Sequence, residues 1–296
     1  MLGKSSVKGY IYVMLSAVLF GFTPVLAAMS YEGGNNGVNM TFLRALLPIP
    51  ILFLLARREK VQKISKRQAL ISVILGIFAY GCTLQLNLSY AYISVGVATT
   101  LHFLYPLYVS LYELTVQKIK KSPLYFVGLF AALLGAAFFL DQTGQGFDIK
   151  GVSLALISGI FYAAYMIILD GEKERALPLF SLTLGISLTG FVVFGAFGLI
   201  TRELTFNMTP KAWAFASVAA ILSSVGAIVL FQAGLRVIGK ADAAIFSLLE
   251  PICSIIFSIL LMGDRMTFTK LLGCALIIFG LFLTTAAEKR SAFKVK

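Results

Sequence analysis

Histidine and tryptophan each occur once in the 296 residues, and cysteine occurs three times. A single histidine, His102, cannot supply the sets of His and Cys ligands that hydrolytic zinc chemistry uses. No G-x-S-x-G is present, and a nucleophile would find no second histidine as its base. Cys82, Cys253 and Cys274 lie in apolar runs at spacings that match no metal site, so they read as small packing residues rather than a disulfide framework. The glycine-rich "EGGNNG" (32–37) is not followed by Lys-Ser/Thr and reads as an external turn, not a phosphate cradle. No catalysis, metal or cofactor is therefore expected. Charge is scarce too. Only 13% of residues are charged and 59% are hydrophobic, where an ordinary soluble domain carries about 25% charged residues. No stretch is long and polar enough to form a separate soluble domain. The roughly ten-residue alternation of a transmembrane β-barrel is missing.

What the chain has is a succession of long apolar runs, so the fold class is an all-α, polytopic membrane protein. The runs predict helices over 9–29, 37–56, 69–90, 94–116, 123–140, 150–169, 178–200, 212–234, 241–262 and 269–287, each near the ~20 residues that a bilayer requires. Lys and Arg fall unevenly between them. With the N-terminus in the cytoplasm, the inside segments hold 19, among them six in "RREKVQKISKRQ" (57–68), and the outside loops hold 5. That asymmetry predicts both termini in the cytoplasm of a cell (inner) membrane. It also assigns the net charge of +12 to the membrane face, so the bilayer is the expected partner and nucleic acid is not. The first run resembles a secretory signal, with Lys4 and Lys8 before it. Its apolar stretch is longer than such a core, and its pattern recurs in mid-chain, so a retained span is expected.

That recurrence is the most informative feature. "KGYIYVMLSAVLFG" (8–21) aligns with "KGVSLALISGIFYA" (150–163) at an offset of 142. Gly81, Pro106, Gly128 and Gly135 align with Gly226, Pro251, Gly273 and Gly280 at a constant offset of 145. The chain thus divides into five-helix repeats, 1–145 and 146–296. Because five is odd, the second repeat enters the membrane from the opposite side. Inverted repeats of this kind build secondary transporters, with the site near the midplane between halves.

The final stretch, "SLLEPICSIIFSILLMGDRMTFTKLLGCALIIFG" (247–280), together with the five-plus-five arrangement, resembles the EamA family of the drug/metabolite transporter superfamily. The resemblance rests on Glu250-Pro251, on the Gly263-Asp264 turn and on Gly273 and Gly280. Asp264 stands where the family usually has Glu, and the first half has "QKIKK" in place of that acidic turn; Asp264 is expected to serve a helix start. The resemblance implies transport of small organic solutes, commonly amino acids and other metabolites.

Polar residues inside spans point to the site. On a continuous helix His102, Tyr105, Val109, Tyr112 and Glu113 share an arc of roughly 80°. Their repeat partners are Ser247, Glu250, Ser254, Phe257 and Ser258. Two polar stripes on related helices suit two walls of a water-accessible cavity. Asn87 pairs with Gln232 at the same offset, Phe20 pairs with Tyr162 at 142, and Arg44 sits within span 2. The expected cavity residues are Phe20, Arg44, Asn87, His102, Tyr105, Tyr112, Tyr162, Gln232, Ser247 and Glu250, with Glu250, Glu113 and His102 as proton-coupling candidates. Each has a plainer reading: His102 bonding a carbonyl, tyrosines as packing, Glu113 paired to a basic loop, Arg44 reaching the surface. The predicted function is secondary active transport of an amino acid, amine or related metabolite by alternating access, with proton coupling through those groups. A channel or non-transporting scaffold is the alternative, and monomer and homodimer both fit.

Overall fold

The computed structural model describes residues 4–59, 65–118, 121–138, 148–171, 178–238, 243 and 246–294. Among them all regular structure is helical: α1 (Lys4–Met29), α2 (Gly37–Leu46), α3 (Ile49–Arg58), α4 (Lys66–Ser89), α5 (Val95–His102), α6 (Tyr105–Thr115), α7 (Pro123–Ala137), α8 (Ile149–Gly171), α9 (Leu179–Ile200), α10 (Pro210–Ile221), α11 (Ile228–Ile238), α12 (Leu249–Met262) and α13 (Phe268–Lys294). A 3₁₀ turn (Ser30–Gly33) follows α1, and a π turn (Leu222–Ala227) joins α10 to α11. Six segments are long and apolar enough to cross a bilayer alone: Val7–Gly33, Gly37–Arg58, Lys66–Ser89, Ile149–Leu169, Leu179–Ile200 and Pro210–Phe231. The shorter apolar helices α7, α12 and α13 and the divided pair α5–α6 complete ten spans.

The outside of the bundle is apolar. Phe130 (69% exposed), Leu260 (72%) and Ile200 (81%) stand among many large hydrophobic side chains on the surface. In water such a surface would drive association; in lipid tails it is the matched solvent-facing side. The interior combines large apolar side chains, among them Leu101, Ile277 and Leu281, with small and polar residues, including Ser16, Thr41, Asn87, Ser158, Ser254 and Ser258. Without a hydrophobic drive between helices in lipid, close approach of small residues holds them together.

Four spans that the periodicity draws as single helices are interrupted, and proline is the reason in three of them. Span 2 divides into α2 and α3 at Leu47-Pro48. Pro48 has no N–H to offer the Arg44 carbonyl four residues back. The hydroxyl of Tyr80 donates to that carbonyl instead, at 3.2 Å. Span 4 divides into α5 and α6 at Phe103-Leu104, two residues ahead of Pro106, which strips the His102 carbonyl of its helical donor by the same rule. Pro251 stands in the equivalent place in span 9. There α12 begins at Leu249 after a turn at Leu248, and the first residues of the expected 241–262 helix lie partly outside the described set. Span 8 is interrupted by the π turn. At its end the Ala227 carbonyl accepts from the hydroxyl of Ser16, at 2.8 Å. Asp264 departs from its expected part. It turns back onto the helix behind it, its carboxylate accepting from the Ser258 hydroxyl, after Gly263 ends α12 in the left-handed region at φ 69°.

The two halves are related by an inverted two-fold. Span 1 packs on spans 8 and 9 while span 6 packs on spans 3 and 4, and the pairs 5–10 and 2–7 map onto themselves. Individual contacts repeat the relation. A Cβ on Gly9 would meet Val237 and Ile238, and one on Gly151 would meet Tyr92 and Ile93, the positions 145 residues earlier. Gly128 lies against the Gly280 carbonyl and Gly135 against that of Gly273. The order is reversed along the two helices, so α7 and α13 run antiparallel.

Candidate functional site

The broken helices bring the ionisable side chains inward. Glu250 sits in the first turn of α12, and Arg44 in the last turn of α2. Both are half-buried. Neither side chain has a hydrogen bond or ion pair among the described residues. The Arg44 charge nevertheless acts on Glu250. Arg44 also acts on His102, and Glu250 acts on Tyr105 and Tyr162. A cation in the first half and an anion in the second thus lie within reach of each other's field, neither with a direct partner among the described residues. Their packing positions are fixed by the prolines: Pro48 lies four residues after Arg44, and Pro251 directly follows Glu250.

An aromatic cluster joins α5 and α6 to α8. The rings of Tyr105 and Tyr162 meet edge to face at 4.6 Å, and Tyr165 stacks on Tyr162 at 5.6 Å. The imidazole of His102 lies 5.8 Å from Tyr105 and 5.3 Å from Tyr162. Its Nδ1 is 3.0 Å from the hydroxyl of Ser158 on α8. The hydroxyls of Tyr105 and Tyr162 and the His102 Nε2 have no hydrogen-bond partner among the described residues, and they are not among the fully enclosed orphan polar atoms. Aromatic faces next to a carboxylate attract cations, and a guanidinium attracts carboxylates.

Of the residues expected from sequence, His102, Tyr105 and Tyr162 are in ring contact with one another, and the Arg44 and Glu250 charges act on members of that cluster. Phe20 is half-buried on α1, the helix whose Gly21 touches the Glu250 carbonyl. Tyr112 is half-buried further along α6. Ser247 is half-buried, with its hydroxyl donating to the Ala243 carbonyl at 2.8 Å. Asn87 is 1% exposed, and its amide donates to the Thr41 hydroxyl at 3.1 Å; it ties span 3 to span 2. Glu113 pairs with Lys121 at 2.5 Å at the far end of α6. The side chain of Gln232 lies outside the described residues. Sequence reasoning passed over three neighbours: Ser158, although it is one of the aligned repeat positions, Tyr165, one turn beyond Tyr162, and Tyr80, whose hydroxyl holds the Arg44 carbonyl.

The spans are also laced at their ends. The Glu59 carboxylate accepts from the backbone N–H groups of Phe180 and Ser181, both at 2.9 Å, and from the Ser181 hydroxyl at 2.8 Å. It thereby caps the start of α9 from the end of span 2. At the opposite membrane face Asn36 donates to the Glu203 carbonyl at 2.8 Å, and Asn39 accepts from the Thr205 N–H at 3.3 Å. Spans 2 and 7 are thus bonded at both ends.

Comparison with known proteins agrees with this architecture. The EamA-like transporter family matches residues 7–140 and again 149–286. An uncharacterized transporter of Synechocystis is 22% identical, the alignment covering 95% of this chain and 94% of the relative. An uncharacterized inner membrane transporter of Salmonella typhimurium is 26% identical over 97% and 98%. An uncharacterized transporter of Archaeoglobus fulgidus is 24% identical over 92% and 94%. A crystal structure with 16% identity superposes with a TM-score of 0.64, covering 97% of this chain and 100% of that one, which shows the fold. With both repeats matched in turn, this multi-pass membrane protein belongs to the EamA-like transporter family.

Proposed function

We propose that this protein is a secondary active transporter of small zwitterionic solutes, amino acids or close relatives. The observation that carries the reading is the pair of unpartnered opposite charges, Arg44 and Glu250, in one interior. Burying a charge without a partner is costly. Two such charges that remain apart are best accounted for by a ligand that supplies the missing partner to each: a carboxylate for Arg44 and an ammonium for Glu250, the latter against the Tyr105 and Tyr162 rings. Lone amines and lone acids satisfy only one pole.

In this reading the halves, 1–145 and 146–296, rock about the site and open it to each side in turn. Both termini lie in the cytoplasm of the cell (inner) membrane, as the distribution of Lys and Arg supports. Glu250 exchanges a proton as the site changes face, so substrate movement is coupled to a proton gradient.

Thermal unfolding of purified protein tests the substrate class. A ligand that binds only the folded form stabilises it by about 2.7 kcal/mol at a hundredfold excess over Kd. Among amino acids, simple amines and simple carboxylates at equal concentration, an amino acid should raise Tm most. Arg44→Gln and Glu250→Gln should each lower that rise. Equal stabilisation by an amine that lacks a carboxylate would remove Arg44 from the reading.

A further inference from the structure

We propose that Ser158 holds His102 in its Nδ1–H form, which leaves Nε2 as an acceptor reserved for an N–H group of the substrate's ammonium. This rests on the zwitterion reading above and specifies its amine end.

The hydrogen count makes the first step. A serine hydroxyl has one proton. That of Ser158 donates to the Ala155 carbonyl at 2.6 Å. At 3.0 Å from the same oxygen, His102 Nδ1 must then be the donor. The proton assignment follows from the network. The second step is charge. His102 is 8% exposed, and among the described residues no carboxylate is hydrogen-bonded to it. Burial without a counter-charge keeps the ring neutral, so Nε2 carries a lone pair.

The third step is what surrounds that lone pair. Nε2 has no hydrogen-bond partner among the described residues. The ring is flanked by Tyr105 and Tyr162, and the Glu250 charge acts on both of those tyrosines. Tyrosine hydroxyls turn to either role, but the imidazole lone pair and the carboxylate accept only. Such a pocket asks for positive charge and N–H together. A quaternary ammonium would satisfy Glu250 and the rings yet leave Nε2 dry.

The pseudo-symmetry separates this pair from the scaffold. The repeat partner of His102 is Ser247, which bonds Ala243 within its own helix. The repeat partner of Ser158 is Ser16, which bonds Ala227. The Pro106 break is duplicated at Pro251, whereas the imidazole–hydroxyl pair occurs in one half only. A role in building the fold would predict its duplication; a role at one pole of an asymmetric ligand does not.

The single histidine makes the test direct, because protein labelled with ¹⁵N-histidine yields one pair of ring nitrogens. The wild type should show the proton on Nδ1 and a bare Nε2. Ser158→Ala should lose that preference, and Ser158→Thr should keep it. Binding is then measured for the nineteen common amino acids with a primary α-amine, each set against its Nα-trimethyl derivative. The amino acid should bind at least ~10-fold more tightly and should move the Nε2 signal. His102→Phe should abolish the difference between the two. A wild-type ring protonated on Nε2, or equal affinity for the trimethyl derivative, overturns the inference while leaving the zwitterion reading standing. Failure of every amino acid to bind overturns the zwitterion reading and with it the ligand role of Nε2; the ring spectrum then decides the Ser158 assignment alone.

Discussion

Arg44 and Glu250 matter at the residue scale because each is a charge without a bonded partner in a place where charge is expensive. Glutamine at 250 keeps the shape and one accepting oxygen but removes the titratable charge. In proteoliposomes, Glu250→Gln should abolish uptake driven by a pH gradient while substrate exchange stays measurable. Gradient-driven uptake at the wild-type rate would remove Glu250 as the coupling group and leave it as a carboxyl beside the Pro251 break. Glu59 gives a contrasting case. Its carboxylate is fully used, capping α9 through Phe180 and Ser181. Glu59→Gln should lower stability by about 1–2 kcal/mol, the range of a lost helix cap with its favourable charge. Thermal unfolding of that variant without ligand checks this, and an unchanged Tm would contradict it. Residue types inside apolar runs made Arg44, His102, Tyr105, Tyr162 and Glu250 visible in the sequence. Partners were not visible. Nothing local to Asn87 announces Thr41, 46 residues away, and nothing local to Glu113 distinguishes a cavity lining from a pair with Lys121.

At the scale of elements, glycine decides how closely helices meet. A Cβ on Gly280 would lie 2.5 Å from the Ala132 nitrogen and 2.5 Å from the Gly128 oxygen, both backbone atoms that cannot swing aside. Gly280→Ala should therefore push α7 from α13 and cost about 1–3 kcal/mol, the usual range for overpacking. Gly226 offers the control. Its nearest neighbours are side-chain tips of Leu19 and Leu222 at 3.7 Å. Gly226→Ala should be neutral or stabilising by up to about 1 kcal/mol, because alanine is the better helix former. Melting temperatures of the two variants read this directly, and the same drop in both would contradict it. The sequence marked both glycines as repeat positions without telling them apart, since close approach depends on the neighbouring helix. The breaks at Pro48, Pro106 and Pro251 are different. Proline's missing N–H is a local fact, so the interruptions could have been placed from the sequence, where periodicity alone drew spans 2, 4 and 9 as continuous. The π turn in span 8 has no such local sign.

For the whole molecule, the inverted two-fold was legible because two constant offsets, 142 and 145, survive in a simple alignment. The contacts Gly9 with Val237 and Gly151 with Tyr92 repeat it in space. What the offsets did not convey is which contacts seal the interior. The hydroxyls of Thr99 and Ser254 lie 2.9 Å apart, and a Cβ on Gly96 would come within 2.8 Å of the Ile255 Cα. Span 4 is thus closed against span 9 on one side of the two breaks. If the halves rock, this contact must open. With Cys82, Cys253 and Cys274 replaced, a Thr99→Cys/Ser254→Cys pair should crosslink on oxidation and stop transport, and reductant should restore it. Transport at the full rate in a fully crosslinked protein would show that this contact does not move.

The central claim is that one site with two charge poles is exposed to each side in turn. The direct measurement is counterflow in proteoliposomes, with an amino acid that raises Tm loaded inside and its radiolabelled form added outside. The account predicts saturable, transient accumulation of label above its equilibrium level, lost in Arg44→Gln. Label that only equilibrates, at a rate proportional to concentration and indifferent to the load inside, would describe a channel and contradict the account.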